Sequence, residues 1–170
     1  MASMLLLDSH DTARFRNVVG KDPVRHLVGM ALLLTYPGVP SIFAGDEIGL
    51  EGAWGEDARR TIPWDKRERW DNKFFEEVKA LVAVRRSSEA LALGGLRFIY
   101  VTDDVVAFLR ESHAETILVA LSRNPVQFNI SLAPFGYEVE KVLYGSGQIG
   151  AHISRNDTEP AVGIYQLSRS

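Results

Sequence analysis

Leu5-Leu6-Leu7-Asp8-Ser9-His10-Asp11-Thr12-Ala13-Arg14 and, further along, Pro40-Ser41-Ile42-Phe43-Ala44-Gly45-Asp46-Glu47 share one pattern: a short apolar run that ends abruptly in polar, chemistry-bearing side chains. Runs of this kind read as buried strands, Met4–Leu7 and Pro40–Ala44, that deliver polar residues at their C-terminal ends. Between them lies a helix signal. Asp22 suits the N-cap and Pro23 the first helical position. Val24, Leu27, Val28, Ala31 and Leu32 then recur at i, i+3, i+4, i+7 and i+8, which puts them on one face. Tyr36-Pro37-Gly38 ends the helix. Strand, loop, helix, strand, loop is the local grammar of a (β/α) barrel, whose active-site groups sit on loops at the strands' C-terminal ends.

Working outward, Gly49 to Trp70 is irregular, rich in Gly, charge and tryptophan, and long for a mere connector. A further helix is expected from an Asp71 cap through Phe74, Val78, Leu81 and Val82 to Arg85 and Arg86, where cations suit the helix dipole. From Gly94 onward the hydrophobic period drops to 2. Strands are expected at Leu96–Val101, Val105–Arg110, Thr116–Leu121, Gln127–Leu132, Glu138–Leu143 and Val162–Leu167, separated by turn signals such as Asn124-Pro125 and Gly145-Ser146-Gly147. Antiparallel strands without an intervening helix imply a small β-sandwich. The expected fold class is therefore α+β. Residues 1–93 form a partial (β/α)8-barrel segment and residues 94–170 an antiparallel β-sandwich domain, with the boundary at Leu93-Gly94-Gly95.

Composition narrows the function classes. Of 170 residues 46% are hydrophobic, and 19 basic against 22 acidic side chains leave a formal charge of −3, which disfavours a nucleic-acid binder. The absence of cysteine excludes disulfides, thiol catalysis and cysteine-ligated metals. The longest apolar stretch, Leu27 to Leu34, falls well short of the roughly twenty residues of a membrane span. Leu5-Leu6-Leu7 meets Asp8 too soon for a signal peptide, so the cytoplasm is the expected compartment and no membrane partner is expected.

Taken alone, the polar clusters leave alternatives open. An Asp after a strand also caps the next helix, and a histidine beside a carboxylate is often a structural hydrogen bond. The wider motif is more specific. The segment from Leu5 to Arg14 resembles the fourth short signature of the α-amylase family, glycoside hydrolase family 13, and Tyr36 to Leu50 resembles that family's stretch around its last barrel strand. Asp57-Ala58-Arg59-Arg60-Thr61-Ile62-Pro63-Trp64 is similar to the loop that follows in the neopullulanase, cyclomaltodextrinase and α-glucosidase branches.

The resemblance implies roles. Asp11 matches the carboxylate that stabilises an oxocarbenium-like transition state, His10 the histidine that hydrogen-bonds the same sugar, and Arg59 a loop arginine near bound glucan. The family's acidic companion to that arginine, four residues earlier, is replaced by Gly55, and Ser9 stands where many members have asparagine. Asp46 and Glu47 are expected to pack and hydrogen-bond under the barrel rim. Trp64 and Trp70 are expected to be buried against the barrel, and Trp54, between Ala53 and Gly55, to stand exposed as a platform.

A complete barrel takes about 250 residues, and a retaining glycosidase needs two carboxyl groups about 5–5.5 Å apart. In the family resembled, nucleophile and acid follow strands four and five, so the resemblance places both upstream of Met1. The chain is thus expected to be the C-terminal piece of an α-glycosidase acting on α-glucan or maltooligosaccharide: the last two β/α units, barrel strands 7 and 8 with their helices, plus a β domain, inactive alone. No cofactor and no metal ligand is expected. Calcium is common in the family, but no acidic loop here has its alternating oxygen ligands. Unpaired barrel edges and the apolar helix face bearing Met30, Leu32, Leu33 and Leu34 predict self-association. The competing reading is a non-catalytic carbohydrate-binding or structural β module using Phe135, Tyr137 and Tyr144.

Overall fold

The computed structural model describes residues 3–170. Two short strands, β1 (Met4–Leu5) and β2 (Val39–Pro40), pair in parallel with Met4 opposite Val39 and Leu5 opposite Pro40. Both are shorter than expected. Each is paired to the other alone, so the ladder stops once Ser41 has donated to the Leu5 carbonyl (2.7 Å), and Ile42 leaves it to pack against the helices.

Between the strands lie α1 (Phe15–Val18) and α2 (Pro23–Thr35). The Asp22 carboxylate accepts the Val24 and Arg25 N–H groups, as its N-cap position requires. Gly29 interrupts the apolar face of α2 for a steric reason: a Cβ there would come within 2.3 Å of the Phe15 ring. α3 (Asn72–Arg86) starts from Asp71, which accepts the Phe74 N–H, and α4 (Glu89–Leu93) follows from a Ser88 cap.

The β region holds seven strands: β3 (Gly95–Val101), β4 (Val105–Glu111), β5 (Thr116–Ser122), β6 (Val126–Ser131), β7 (Tyr137–Gly145), β8 (His152–Asp157) and β9 (Ala161–Arg169). Five form an antiparallel sheet in the order β3-β4-β5-β9-β7, and β6 pairs with β8 in a second sheet. Six of the seven lie where the sequence pattern places them. β8 escapes it because Ser154, Arg155, Asn156 and Asp157 leave Ile153 as its lone aliphatic anchor, opposite Ile130.

Successive residues of a strand face opposite sides of the sheet, and in β5 both sides are apolar. Ile117, Val119 and Leu121 join one core with Met30, Leu33 and Leu34 of α2, Phe74, Val78 and Leu81 of α3, and Leu91 of α4. Leu118 and Ala120 join another with Phe128, Ile130 and Ile153 of the second sheet. The molecule is thus a three-layer stack of helices, five-stranded sheet and two-stranded sheet, and its first core crosses position 93. This corrects one expectation. The α2 face bearing Met30, Leu33 and Leu34 is not open for new contacts, because α3 and the sheet cover it, leaving Leu32 partly exposed. Exposed apolar side chains gather instead on the parallel pair, at Met4, Leu6 and Val39. Among the described residues no helix is long and apolar enough to cross a membrane.

Two arginines, Arg110 buried and Arg85 half-buried, join the layers. Arg110 of β4 donates to the carbonyls of Thr35, Leu91 (3.0 Å), Gly94 (2.8 Å) and Gly95 (3.2 Å), capping the C-terminal ends of α2 and α4 at once. Arg85 of α3 donates to Leu34 and Gly38 at 2.7 and 2.8 Å. Arg110→Met keeps the aliphatic length and strands these acceptors, so it is expected to lower unfolding free energy by about 3 kcal/mol in urea titration. A loss below about 1 kcal/mol would show that water takes over the carbonyls.

Candidate active-site rim

Three segments converge where β1 and β2 end: residues 8–12, residues 43–47, and the long loop that carries Gly55–Arg59 as one 3-10 turn. In the first, the Ser9 N–H donates to Thr12 Oγ1 (3.0 Å) and the Asp11 N–H to Ser9 Oγ (3.2 Å), closing a tight turn. Its hydrogen bonds turn inward, so His10 and Asp11 project outward with side chains 63% and 68% exposed.

The structure brings all three predicted site residues together. His10 Nε2 lies 3.3 Å from Asp11 Oδ2, Arg59 Nη2 lies 3.5 Å from Asp11 Oδ1, and Arg59 Nε donates to the His10 carbonyl at 3.0 Å. Arg59 also lies 3.8 Å from Glu56. Gly55 explains why no acid precedes Arg59 by four residues: its φ of +70° is left-handed, a conformation glycine adopts without penalty. The acidic partners of Arg59 come instead from Asp11 across the rim and Glu56 on its own turn.

Beneath this exposed layer lies a buried one that sequence reasoning missed. Arg14 is almost wholly buried. Its Nη1 donates to Asp46 Oδ1 (3.0 Å), its Nε to the Ala58 carbonyl (2.9 Å) and its backbone N–H to the Gly52 carbonyl (3.0 Å). One side chain therefore ties all three rim segments together, and its guanidinium stacks over the Phe43 ring at 4.0 Å. Asp46 and Glu47 pack as expected: Asp46 is buried, and Glu47 accepts the Gly45 N–H at 2.8 Å. Arg14 stands inside the quoted motif, but its burial depends on acceptors more than thirty residues away.

Asp8 is buried beside Asp46. Its Oδ2 accepts the Phe15 N–H, while Oδ1 meets no hydrogen-bond donor among the described residues. Burial first, then the hydrogen bond and charge of Asp8, push the Asp46 carboxyl up to about 8 against the opposing pull of Arg14. A proton held on Asp46 supplies the donor that Asp8 lacks. Nearby, Asp57 is held below the usual carboxylate range by the Ala53 N–H and then by Arg60, which closes the 3-10 turn.

An open groove of about 660 Å³ runs beside the rim, lined by His10, Arg14, Phe43, Arg59, Arg60 and Trp64 among others. Trp64 corrects an expectation: it is 66% exposed, not buried. Trp70 takes the place against α3, meeting the Phe75 ring at 5.6 Å, and Trp64 packs outside it at 5.7 Å. Trp54 is exposed as expected but does not line the groove. The aromatics of the competing β-module reading offer no free platform. Tyr137 is buried with its hydroxyl donating to Glu111 (3.1 Å), Tyr144 donates to Glu77, and Phe135 packs against the second core under Arg97. Among the described residues no three or more His, Asp or Glu side chains are grouped so as to hold a metal ion.

The buried carboxyl pair makes a pH prediction. The folded state holds the Asp46 proton up to about pH 8, whereas the unfolded chain releases it near 3.8. This stabilisation is complete below the unfolded value and is lost as pH rises through about 8. Thermal melts are expected to shift downward from about pH 6 to about pH 9, and Asp46→Asn, whose amide can donate to Asp8 at every pH, should flatten that slope. An equal slope in the variant would assign the effect elsewhere.

Comparison with known proteins bears on the family of the chain. The family model described as alpha amylase, catalytic domain, matches residues 1–92. A cyclomaltodextrinase from Thermoanaerobacter pseudethanolicus is 33% identical over 122 residues, covering 72% of this chain and 21% of that protein. Neopullulanase 2 from Thermoactinomyces vulgaris is 34% identical over 119 residues, covering 69% of this chain and 20% of that protein. The solved structure of a Nostoc punctiforme debranching enzyme superposes with a TM-score of 0.84 at 27% identity, over 97% of this chain and 35% of that one. The chain spans about a fifth of the length of these curated relatives. With the match over residues 1–92 bearing out the motif resemblance, the chain belongs to the alpha-amylase catalytic-domain family.

Proposed function

We propose that this chain supplies one wall of the active site of a retaining α-glycosidase acting on α-glucans or maltooligosaccharides. The observation that carries the reading is the cluster of His10, Asp11 and Arg59, held over the ends of two parallel strands by a buried arginine. Positive charge builds at the anomeric carbon as a glycosidic bond breaks, and a fixed carboxylate lowers that state more than the neutral ground state. Asp11 is that carboxylate. His10 and Arg59 donate to the sugar hydroxyls and hold Asp11 in its orientation.

The nucleophile and general acid belong to other strands of the same barrel, and β1 and β2 are its seventh and eighth. The chemistry of the rim supports this. Retention needs two carboxyl groups about 5–5.5 Å apart flanking the scissile bond. Among the described residues Asp11 is met by His10 and Arg59, while Asp8 and Asp46 are buried and bonded to the scaffold. The names of the similar proteins, cyclomaltodextrinase and neopullulanase, favour an α-linked glucose polymer as substrate.

The chain alone is expected to release no p-nitrophenol from p-nitrophenyl α-glucoside. In a polypeptide carrying the preceding barrel strands, Asp11→Asn is expected to lower kcat/KM by at least about a hundredfold. Turnover by the chain itself, or an undiminished Asp11→Asn enzyme, would overturn the assignment. The parallel pair also presents an unpaired edge beside exposed Met4, Leu6 and Val39, which a second copy covers in isolation. Light scattering at micromolar concentration is expected to give a mass above the 18.9 kDa protomer, and a monomer mass would rule self-association out.

A further inference from the structure

The groove beside Asp11 contains two aromatic side chains, Phe43 and Trp64. One face of Phe43 is already occupied, because the Arg14 guanidinium lies 4.0 Å above its centroid and is held there by Asp46 and Ala58. Trp64 is the opposite case, with two thirds of its surface open. An indole is a large apolar surface, so one left facing a polar groove is more informative than a scattered exposed leucine.

The ring is also held in place. The Trp64 backbone N–H donates to the Ile62 carbonyl at 2.9 Å. Trp70 meets the Trp64 ring at a centroid distance of 5.7 Å and an angle of 68°, and Trp70 Nε1 donates to the carbonyl of Pro63, the residue before Trp64, at 3.2 Å. Trp70 is itself fixed by Phe75 at 5.6 Å and by Arg67 over its ring at 5.1 Å. This relay from α3 outward presents a preorganised surface, so little rotamer freedom is lost on binding. Trp54 supplies the contrast: it is more exposed, has no aromatic partner among the described residues and lies outside the groove.

We propose that Trp64 is the stacking platform for a glucosyl unit adjacent to the one held by His10 and Asp11, an assignment that rests on the reading of this rim as an α-glucan site. A glucopyranose chair carries axial C–H bonds on its faces and equatorial hydroxyls around its edge. It therefore suits an apolar ring surrounded by donors. Trp64 provides the ring, and Arg59 and Arg60, which line the same groove, provide donors for the hydroxyls. The groove's volume of about 660 Å³ lies within the range of small-ligand sites.

The test uses the full chain, 15N-labelled and titrated with maltoheptaose. Its three tryptophan indole N–H signals are assigned with W54F, W64F and W70F. The Trp64 indole signal is expected to move together with the His10 and Asp11 amides. W64A is expected to weaken binding about tenfold, the size of one aromatic contact, while W64F retains most of the affinity and W54A all of it. The amide spectrum of W64A without sugar reports whether the fold is intact, and W64F carries the comparison if it is not. A stationary Trp64 signal, or wild-type binding by W64A, while His10 and Asp11 respond, would overturn the platform and leave the glucan site standing. Silence at every groove residue would overturn both.

Discussion

The five-stranded sheet has two apolar faces, and a sheet of that kind cannot leave either in water. β5 shows the constraint most plainly, since Ile117 to Leu121 is buried at every position. The β6–β8 pair covers one face and α2, α3 and α4 the other. Because α2 and α3 are held against the sheet, the loops that lead into and out of them are held as well. Those loops set the parallel pair, and the parallel pair sets the height at which His10 and Asp11 emerge.

At the rim, two classes of carboxylate are separated by environment alone. Asp11 is exposed between an imidazole and a guanidinium. Asp46 is buried beside another carboxyl, so its neutral form is favoured despite Arg14. Their division of labour follows. The exposed group is open to the groove side of the rim in the role we propose for it, and the buried one stores a proton that completes a hydrogen-bond network. Arg14, which follows Asp11 in the chain, joins the two layers, because its acceptors lie on the segments that present Phe43 and Arg59.

Much of this was legible along the chain. Asp22-Pro23 and Asp71 mark helix starts because capping is local, depending on a side chain and N–H groups two or three residues away. Phe128 and Ile130 mark a strand because one face is buried while Gln127 and Asn129 are exposed. β8 was not legible, since its residues are mostly polar and Ile153 alone reaches the core. Trp64 and Trp70 were not separable either. Both are tryptophans in one loop, and only the position of Phe75 on α3 decides which is packed and which is left to the groove.

The sequence by itself determined the order of elements, the family resemblance and the identity of His10, Asp11 and Arg59 as the residues to watch. These depend on short-range spacing and on motifs written in consecutive residues. The tertiary structure alone decided that Arg59 reaches back across 48 positions to Asp11, that Arg14 is buried, that Asp8 and Asp46 share a site, and that α2 is covered by the sheet. The physical reason is the same in each case. A buried charge or an apolar face is stable only if distant segments bring it partners, and no local pattern records which distant segments those are.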